Sequence, residues 1–482
     1  MSMILPWKWF PWKEKAMKRR FEFRKREMLA ECQIPSEVFQ AMAERLEEFA
    51  QPFVGSLWRS EQMEHAQTYL SGLLSDLDRK NVESIAYRHD QDRRGLQRFI
   101  GFSAWDYRPL MRELARQVGT EIGQADGVIV FDPSGFHKKG SNSVGVTRQW
   151  LGRLGKVDNG QVGVYMGYAS RQEHALVDMR LYLPKQWAKD KVRRKACSVP
   201  KEICFRTRHE LALEMLADQG DLLPHAWIAG DDEMGRSTWF RRKLRASNEL
   251  YLLAVPSNTN IRDLDGQCPP YRGRGPRPKP PFQRVDRWCA SLREDAWTRV
   301  DVRDGEKGPL VVEIVKARVV ARTERSRTDA AEELLVVTRS PGEDGQVKHD
   351  YYLSDANPQT PLEEFARVAK AEHHIEECIQ RAKSEAGLAD YEVRSWPGWH
   401  HHQALSLIAT WFLTQEARRG EKVGTSDHGS AGRRRAGDAV ARSLPLRKPR
   451  AHRTRTNPSS GAQRRSAVLS LEETQSLATT TC

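Results

Sequence analysis

Apolar residues recur at helical spacing through the first quarter of the chain. Between residues 34 and 124, Phe39, Met42, Leu46 and Phe49 keep the three-to-four-residue interval that marks one helix face, and similar sets follow them. This pattern predicts a small helical domain. It is at least as typical of a packing domain as of a domain that binds DNA.

From Gly127 the pattern changes to short apolar runs separated by helical segments. Strands are predicted over residues 127–132, 161–169, 177–183, 225–230 and 250–255. Thr207 and Glu210 predict a capping box at the start of a helix that stops near Gly220, and a basic helix is predicted over 236–246. Three strands, a helix, a strand, a helix and a strand predict a mixed α/β sheet.

A different composition interrupts this order before helices return. Residues 256–286 are rich in Pro, Gly and Arg and predict an extended basic loop. A β-rich insertion follows, with strands predicted over 310–320, 333–338 and 350–353. Pro361 suits the first position of a helix that runs to about Ala386. A further helix over 403–413 is apolar nearly all round and is predicted to be buried.

The charge balance narrows the class of partner. The chain has 482 residues and a net charge of +14, which suits a polyanion because each Lys or Arg that neutralises a phosphate releases counterions. A soluble protein with a basic tail would show the same excess. Residues 421–482 carry 12 Lys and Arg against 5 Asp and Glu and lack aromatic residues, so they are predicted to be disordered. Residues 1–27 are also basic, with Trp and Phe interleaved.

Cysteine usage and hydropathy exclude several classes of protein. The seven cysteines include no Cys-x-x-Cys pair, which argues against a zinc ribbon and a disulfide scaffold and suits a reducing compartment. No apolar run approaches transmembrane length, and no secretion signal follows the basic N-terminus. A cytoplasmic protein without membrane contact is therefore expected.

Two aspartates, Asp132 and Asp231, each directly follow a predicted core strand. If these strands are parallel neighbours, their carboxyl ends meet at one edge of the sheet. Carboxylates that converge in a dry site repel each other, and a hard divalent cation removes that repulsion. Two such cations can cleave a phosphodiester. Spacing alone favours the ordinary roles of loop aspartates, as helix caps or ion-pair partners.

A third acid is expected on the helix after the insertion. In "HHIEECIQRAK", Glu376, Gln380 and Lys383 lie at i, i+4 and i+7 on one helix face. A metal-binding glutamate beside a lysine for the adjacent phosphate makes chemical sense. By charge pattern alone, an ordinary solvated face is the commoner case.

The segment "FDPSGFHKKGSNSVGVTRQWLGRLGKVDNGQVGVYMGYAS" resembles the first catalytic block of DDE-superfamily transposases encoded by bacterial insertion sequences. Within them it is similar to the insertion sequence 701 group, related to the cut-and-paste branch that has a Tyr-Arg-Glu-Lys signature. Later blocks match in the same order, namely "LYLPKQW", "IAGDDEMGR", "YYLSDA" and "HHIEECIQRAKSEAGLADYEVRSWPGWHHHQALSLIATWFL". The resemblance covers roughly residues 43–419.

The resemblance implies an α/β fold with an RNase H-like mixed sheet, a β-rich insertion before the last catalytic helix, and an N-terminal helical domain. The expected division is a basic aromatic extension (1–30), the helical domain (31–125), the first part of the catalytic core (126–255), the basic loop and insertion (256–357), the second part of the core (358–419) and a basic disordered tail (420–482).

The same resemblance assigns roles to single residues. Asp132, Asp231 and Glu376 are expected to be catalytic and to hold two Mg²⁺ ions, for which Mn²⁺ could substitute. Asp232 and Glu377 are close rivals for the second and third acid, and Glu392 is a weaker one. Basic residues that flank the acids are candidates for holding the DNA backbone, namely Lys138, Lys139, Arg148, Lys156 and Lys383.

The implied function is cut-and-paste transposition of an insertion sequence by strand cleavage and strand transfer. The expected partners are the element's terminal inverted repeats and target DNA, bound by a homodimer in the bacterial cytoplasm at the nucleoid. Two alternatives remain open from the sequence. One is a non-catalytic DNA-binding descendant such as a repressor, and the other is a metal-dependent nuclease that cuts without joining.

Several positions depart from the family pattern. His373 and His374 stand where the group has an Arg-Trp pair, and Pro133 stands where a second acid often follows the first. Ala369 and Glu372 occupy the signature's Tyr and Arg positions, so those roles do not transfer.

Two further motifs near the end of the matching region are assigned to the core. Trp396 and Trp399 are predicted to cap the core rather than stack on a flipped base. His400, His401 and His402 lack partners at zinc-ligand spacing and are predicted to be ordinary polar residues.

Overall fold

The computed structural model describes residues 40–273, 275–305, 308–322, 331–341 and 346–425. Of these, residues up to Pro200 and Phe205–Gln415 form one compact unit, and Lys201–Cys204 and the residues from Glu416 belong to a second. The extension predicted over 1–30 lies outside the described residues, as does the predicted tail from residue 426 onward.

Within the described residues, five helices precede the sheet. They are α1 (Gln40–Val54), α2 (Ser60–Leu73), α3 (Val82–Arg88), α4 (Arg93–Gly101) and α5 (Arg108–Ile122). Short polar side chains cap the N-termini of two of these helices. The Asn81 side chain accepts a hydrogen bond from the Ser84 amide at the start of α3, and Asp92 accepts from the first amides of α4. These caps explain why a helical stretch of this length breaks into short pieces.

Twelve strands of the described ranges form one sheet. They are β1 (Val128–His137), β2 (Thr147–Leu151), β3 (Lys156–Ala169), β4 (His174–Leu181), β5 (Trp227–Gly230), β6 (Tyr251–Val255), β7 (Asn260–Asp263), β8 (Gln283–Arg284), β9 (Thr298–Gly305), β10 (Gly308–Arg322), β11 (Glu332–Pro341) and β12 (Val347–Ser354). Their order is β2-β3-β1-β5-β6-β12-β11-β10-β7-β8, with β4 also on β3 and β9 on β10. β1, β3 and β4 make an antiparallel meander, and β5 and β6 run parallel to β1. The predicted mixed α/β sheet is confirmed.

Helices connect and cover the strands. They are α6 (Lys185–Lys189), α7 (Lys191–Ala196), α8 (Arg208–Gln219), α9 (Asp232–Arg236), α10 (Thr238–Ala246), α11 (Val285–Ala290), α12 (Leu362–Glu385) and α13 (Trp396–Thr425). The predicted capping box is present at the start of α8, where the Thr207 side chain and the Glu210 carboxylate satisfy each other's backbone amides. Within the described ranges, no helix is both long and apolar enough to cross a bilayer.

The first core strand is longer than the sequence predicted. β1 does not end at Asp132 but continues to His137, because antiparallel pairing with β3 persists from Val128 to His137. Its parallel partner β5 stops opposite Phe131. Gly135 lets this extension pack closely, since a Cβ there would lie 2.8 Å from a methyl group of Leu151. Asp132 therefore lies within a strand, at the point where one of its two neighbours ends.

The insertion continues the same sheet instead of standing apart from it. β12 pairs antiparallel with β6, with Leu353 opposite Leu253, and the remaining insertion strands follow outward. A buried ion pair ties the insertion to a core helix, since Arg241 Nε on α10 donates to Glu333 Oε1 on β11 at 2.8 Å. The Tyr251 hydroxyl donates to the same carboxylate oxygen at 2.5 Å.

The last two helices supply much of the core. α12 packs against β1, β4 and β5, and α13 begins at Trp396, well before the predicted start at residue 403. Trp399 is fully buried and donates its indole N–H to the Tyr391 hydroxyl at 3.3 Å, in agreement with a packing role. The three histidines that follow are fully buried as well.

The buried side chain of His402 is expected to make the stability of the fold depend on pH. The Tyr69 hydroxyl lies 2.8 Å from its Nδ1, and its Nε2 lies 3.0 Å from the Gly387 carbonyl oxygen, which together suit one neutral tautomer. Burial lowers the pKa of His402 to about 3. Because the unfolded chain takes up a proton below about pH 6.5 and the folded chain does not, this contribution to stability is present above pH 6.5 and is lost as pH falls.

We therefore expect the free energy of unfolding to fall between pH 7 and pH 5, with about 2 kcal/mol of that fall due to His402. Urea unfolding at both pH values measures it. In a His402→Gln variant the fall should be smaller by that amount. An equal fall in the His402 variant and the wild type would contradict this expectation.

Candidate active site

Two aspartates occupy adjacent positions on neighbouring parallel strands. β1 and β5 pair from Val128 opposite Trp227 to Phe131 opposite Gly230, and Asp132 and Asp231 come next on each. Asp231 ends its strand by capping α9, because its Oδ1 accepts a hydrogen bond from the Met234 amide at 3.1 Å. The expected meeting of the two strands is thus present, although Asp132 itself lies inside β1.

Burial and neighbouring negative charges raise the pKa of both aspartates. Burial, reinforced by the charges of Glu376 and Glu233, raises the pKa of Asp132 to about 7, while Lys383 acts in the opposite direction. Burial and the charges of Asp132 and Glu233 raise the pKa of Asp231 well above its usual value. Like charges held close in a partly dry site produce this effect.

Helix α12 brings two glutamates toward the aspartates. Glu376, the predicted third acid, has a side chain that is 59% exposed, and its carboxylate lies 3.7 Å from Nδ1 of His373. Its charge nevertheless contributes to the raised pKa of Asp132. Glu372 lies one turn earlier, where burial and the charges of Asp231, Glu376 and Asp132 raise its pKa well above the usual value.

Glu372 was not predicted from the sequence as a candidate acid. In the sequence it occupies the position where the family signature has an arginine. A signal was present, because Glu372 and Glu376 are four residues apart on one helix and therefore share a face. The structure makes Glu372 a rival to Glu376.

The rival acids named from the sequence have other partners. Asp232 is exposed, and its carboxylate lies 2.8 Å from the guanidinium of Arg236 in the same helix. Glu377 is half exposed, with its carboxylate 3.3 Å from Nε2 of His373. Glu392 accepts a hydrogen bond from the Asn81 side chain at 3.2 Å.

One predicted lysine stands at the acids. Lys383 Nζ donates to the Ser134 hydroxyl at 2.7 Å, two residues beyond Asp132 on β1, and its charge opposes the rise in the pKa of Asp132.

The other predicted DNA contacts differ in orientation. Lys138 Nζ lies 3.4 Å from the centre of the Tyr391 ring and donates to that residue's carbonyl oxygen, and burial lowers the pKa of Lys138 to about 8. Lys156 pairs with Asp158 at 2.9 Å. Lys139 and Arg148 are exposed and make no ion pair within the part of the chain that the structure describes.

The structure also contains an ion pair beside the aspartates that the sequence did not predict. Glu233 on α9 binds the guanidinium of Arg208, which also donates to the Gln149 side chain at 3.3 Å. The Arg208 side chain is only 15% exposed. The capping box placed Arg208 at the start of α8, but no local pattern showed that this helix start would meet α9.

The donor chemistry suits a hard divalent cation, because the acids offer oxygen ligands and because burial, reinforced by neighbouring carboxylates, raises the pKa values of Asp132, Asp231 and Glu372. Among the described residues, no three His, Cys, Asp or Glu side chains lie at the spacing of a metal site. Gathering of the three acids around shared ions therefore stays a prediction.

Comparisons with known proteins point to one family. The family model described as DDE superfamily endonuclease matches residues 52–309, a range that includes Asp132 and Asp231 but not α12. A protein of Microchaete diplosiphon, described as a probable transposase for insertion sequence element IS701, is 38% identical over 340 residues, which cover 68% of this chain and 76% of that protein.

A solved structure is also similar to the chain. The cryo-EM structure of a piggyBac transposase synaptic complex with hairpin DNA aligns with 85% of this chain and 84% of its own, at 10% identity and a TM-score of 0.36. The family match covers more than half of the chain, and the IS701 relative is matched over three-quarters of its length. The chain therefore belongs to the DDE superfamily of endonucleases, as a DNA transposase of the IS701 type.

Proposed function

We propose that this transposase moves an insertion sequence by cut-and-paste chemistry, with Asp132, Asp231 and Glu376 as its metal-binding catalytic acids. One observation carries the assignment. Asp132 and Asp231 occupy adjacent positions where the parallel pairing of β1 and β5 ends, with α12 packed across both strands. Carboxyl ends of parallel strands are where α/β sheets place their sites.

We infer that the sheet is RNase H-like. Such a sheet has a three-stranded antiparallel meander. Two further strands, parallel to the first strand of the meander, follow one after the other on its free side. The order β4-β3-β1-β5-β6, with β5 and β6 parallel to β1, supports this. The insertion between β6 and α12 supports the expected interruption before the last catalytic helix.

DDE endonucleases depend on divalent metal, and we propose two Mg²⁺ ions, with Mn²⁺ able to substitute. Asp132, Asp231 and Glu376 would hold them, with Glu372 as a rival to Glu376. When bound, the ions would neutralise charge on the reacting phosphate and lower the pKa of an attacking water.

The chain's own residues supply proton handling and positioning. With a pKa of about 7, Asp132 gives up a proton when a cation binds, so metal affinity should rise with pH around neutrality. Lys383, held at the Ser134 hydroxyl, would position the scissile phosphate beside the aspartates.

The proposed substrates are the terminal inverted repeats of the element and the target duplex. A net charge of +14 supports a polyanionic partner. We further propose that a homodimer binds the two element ends, since both ends are cut and joined in one reaction, and that the protein acts at the nucleoid in the bacterial cytoplasm.

A labelled duplex carrying the inverted repeat that borders the gene tests this function. With Mg²⁺ we expect strand cleavage at the element end and, with added plasmid, joined products. Neither reaction should occur when EDTA is present from the start. Cleavage without joined products would support a nuclease instead. Specific binding without cleavage under any divalent metal would support a repressor.

A further inference from the structure

Helices α6 and α7 carry an unusual density of positive charge. Residues 185–195 contain six Lys and Arg and a single acid, Asp190. The Asp190 carboxylate is already used, because it accepts a hydrogen bond from the Arg193 amide at 2.9 Å and caps α7. Protein surfaces usually intersperse both signs of charge, so this segment requires an explanation.

Four of these residues form what we term the lysine cluster, namely Lys185, Lys189, Lys191 and Lys195. All four are exposed, and none makes an ion pair within the described part of the chain. They fall into two pairs at i, i+4, one pair on each helix. Like charges at that spacing repel and destabilise a helix. The arrangement is therefore unfavourable for the free protein and suits an anionic partner.

The segment is nonetheless held firmly. Trp187 is 1% exposed, and its indole N–H donates to the Val146 carbonyl at 2.8 Å. The Arg193 guanidinium stacks 3.8 Å from the Trp187 ring centre and donates to the Ser141 carbonyl at 3.1 Å. The two basic helices are thus fixed to the loop that follows β1, so little conformational freedom is lost when they bind a partner.

The strand register places helices α6 and α7 at the edge of the sheet that holds the aspartates. Asp132 lies opposite Tyr165 of β3, which lies opposite Met179 of β4, about 10 Å away across two strand spacings. β4 runs in the same direction as β1 and ends at Leu181, level with Ser134. The chain therefore leaves β4 just past the level of Asp132 and enters α6 four residues later.

We propose that the lysine cluster binds the phosphate backbone of the DNA duplex whose scissile bond lies at the aspartates. Duplex DNA is the anion that matches four exposed lysines on a firmly held segment, because its phosphates are closely spaced and binding releases condensed counterions. The position of the cluster beside the reacting phosphate rests on the proposed function. The charge and exposure of the four lysines do not.

Binding at several salt concentrations tests the proposal with two probes, a random-sequence duplex and the inverted-repeat duplex. The variant Lys185→Gln/Lys189→Gln/Lys191→Gln/Lys195→Gln should bind both more weakly, by about tenfold for each lysine engaged at 0.1 M salt. The slope of log K against log salt should become shallower by about 0.9 for each phosphate that is no longer neutralised. Replacing the same four lysines by Arg should preserve both quantities.

The matched control removes four cations that acids already hold. Arg112, Arg116, Arg293 and Lys348 pair with Asp221, Glu113, Asp295 and Asp350 at 2.7–3.1 Å. Their substitution by Gln changes net charge equally and should leave the slope almost unchanged. An equal change of slope in both quadruple variants, with circular dichroism showing each folded, would overturn the proposal. Asp132→Asn should keep the wild-type slope, so failure of the catalytic assignment stays distinguishable.

Discussion

An Asp132→Asn variant is expected to cleave element-end DNA at least about 10³-fold more slowly than the wild type at pH 8, while remaining folded. At that pH the wild-type carboxylate is ionised, because its pKa is about 7. The amide keeps the shape of the side chain but removes the negative charge that a divalent cation needs. Single-turnover cleavage of the labelled duplex measures the effect.

The neighbouring acid provides the control. Asp232 is exposed and pairs with Arg236, so Asp232→Asn should retain nearly full activity. Thermal unfolding should show that Asp132→Asn is no less stable at pH 8, since the substitution removes repulsion with Glu376 and Asp231. Added Mg²⁺ should raise the unfolding temperature of the wild type more than that of the variant. Undiminished cleavage by a folded Asp132→Asn protein would sink the catalytic assignment.

The same assay separates the two candidates for the third acid. If Glu376 holds metal, Glu376→Gln should be as inactive as Asp132→Asn, and Glu372→Gln should retain more activity. The reverse order would transfer the role to Glu372, whose own pKa is raised by burial and by the charges of both aspartates.

Replacing Arg241 by Met should destabilise the fold by about 3–5 kcal/mol, the largest effect on stability that we expect from a single substitution outside the apolar core. Arg241 and Glu333 are 2% and 3% exposed, and the carboxylate also accepts from Tyr251. Removing the cation leaves a buried carboxylate without its partner, and this penalty exceeds the lost attraction itself. The midpoint and slope of urea unfolding give the free energy.

Two comparisons make this result specific to burial. The double variant Arg241→Met/Glu333→Met should recover most of the lost stability, because neither charge is then stranded. Arg116→Met removes a cation from an exposed pair with Glu113 and should cost less than about 1 kcal/mol. A loss of that small size for Arg241→Met would show that the buried pair contributes little to joining α10 and β11.

Local pattern located the strands that carry the two aspartates, because a central strand needs a run of apolar residues wherever it lies in the sheet. It also located α8, since a capping box acts within a single turn. It did not find β2, β7, β8 or β9. These strands are short or largely polar, and they exist because longer neighbours pair with them.

For the candidate site, the sequence alone predicted Asp132, Asp231 and a helix face that carries Glu376 and Lys383. It could not rank Glu376 against Glu372, because the ranking depends on how α12 crosses β1 and β5. Nor could it tell that Lys138 lies against Tyr391, a residue more than 250 positions away along the chain. Each of these facts is a contact between distant segments.

The sequence by itself determined the family, the mixed α/β class and which residue types follow each core strand. Only the tertiary structure decided that Asp132 lies within β1, that the insertion extends the sheet through β12 and β6, and that α6 and α7 leave β4 at the level of the aspartates. The physical reason is range. Hydrophobic period, caps and turn residues act over a few residues, whereas register and the surroundings of a buried charge arise from segments about a hundred positions apart.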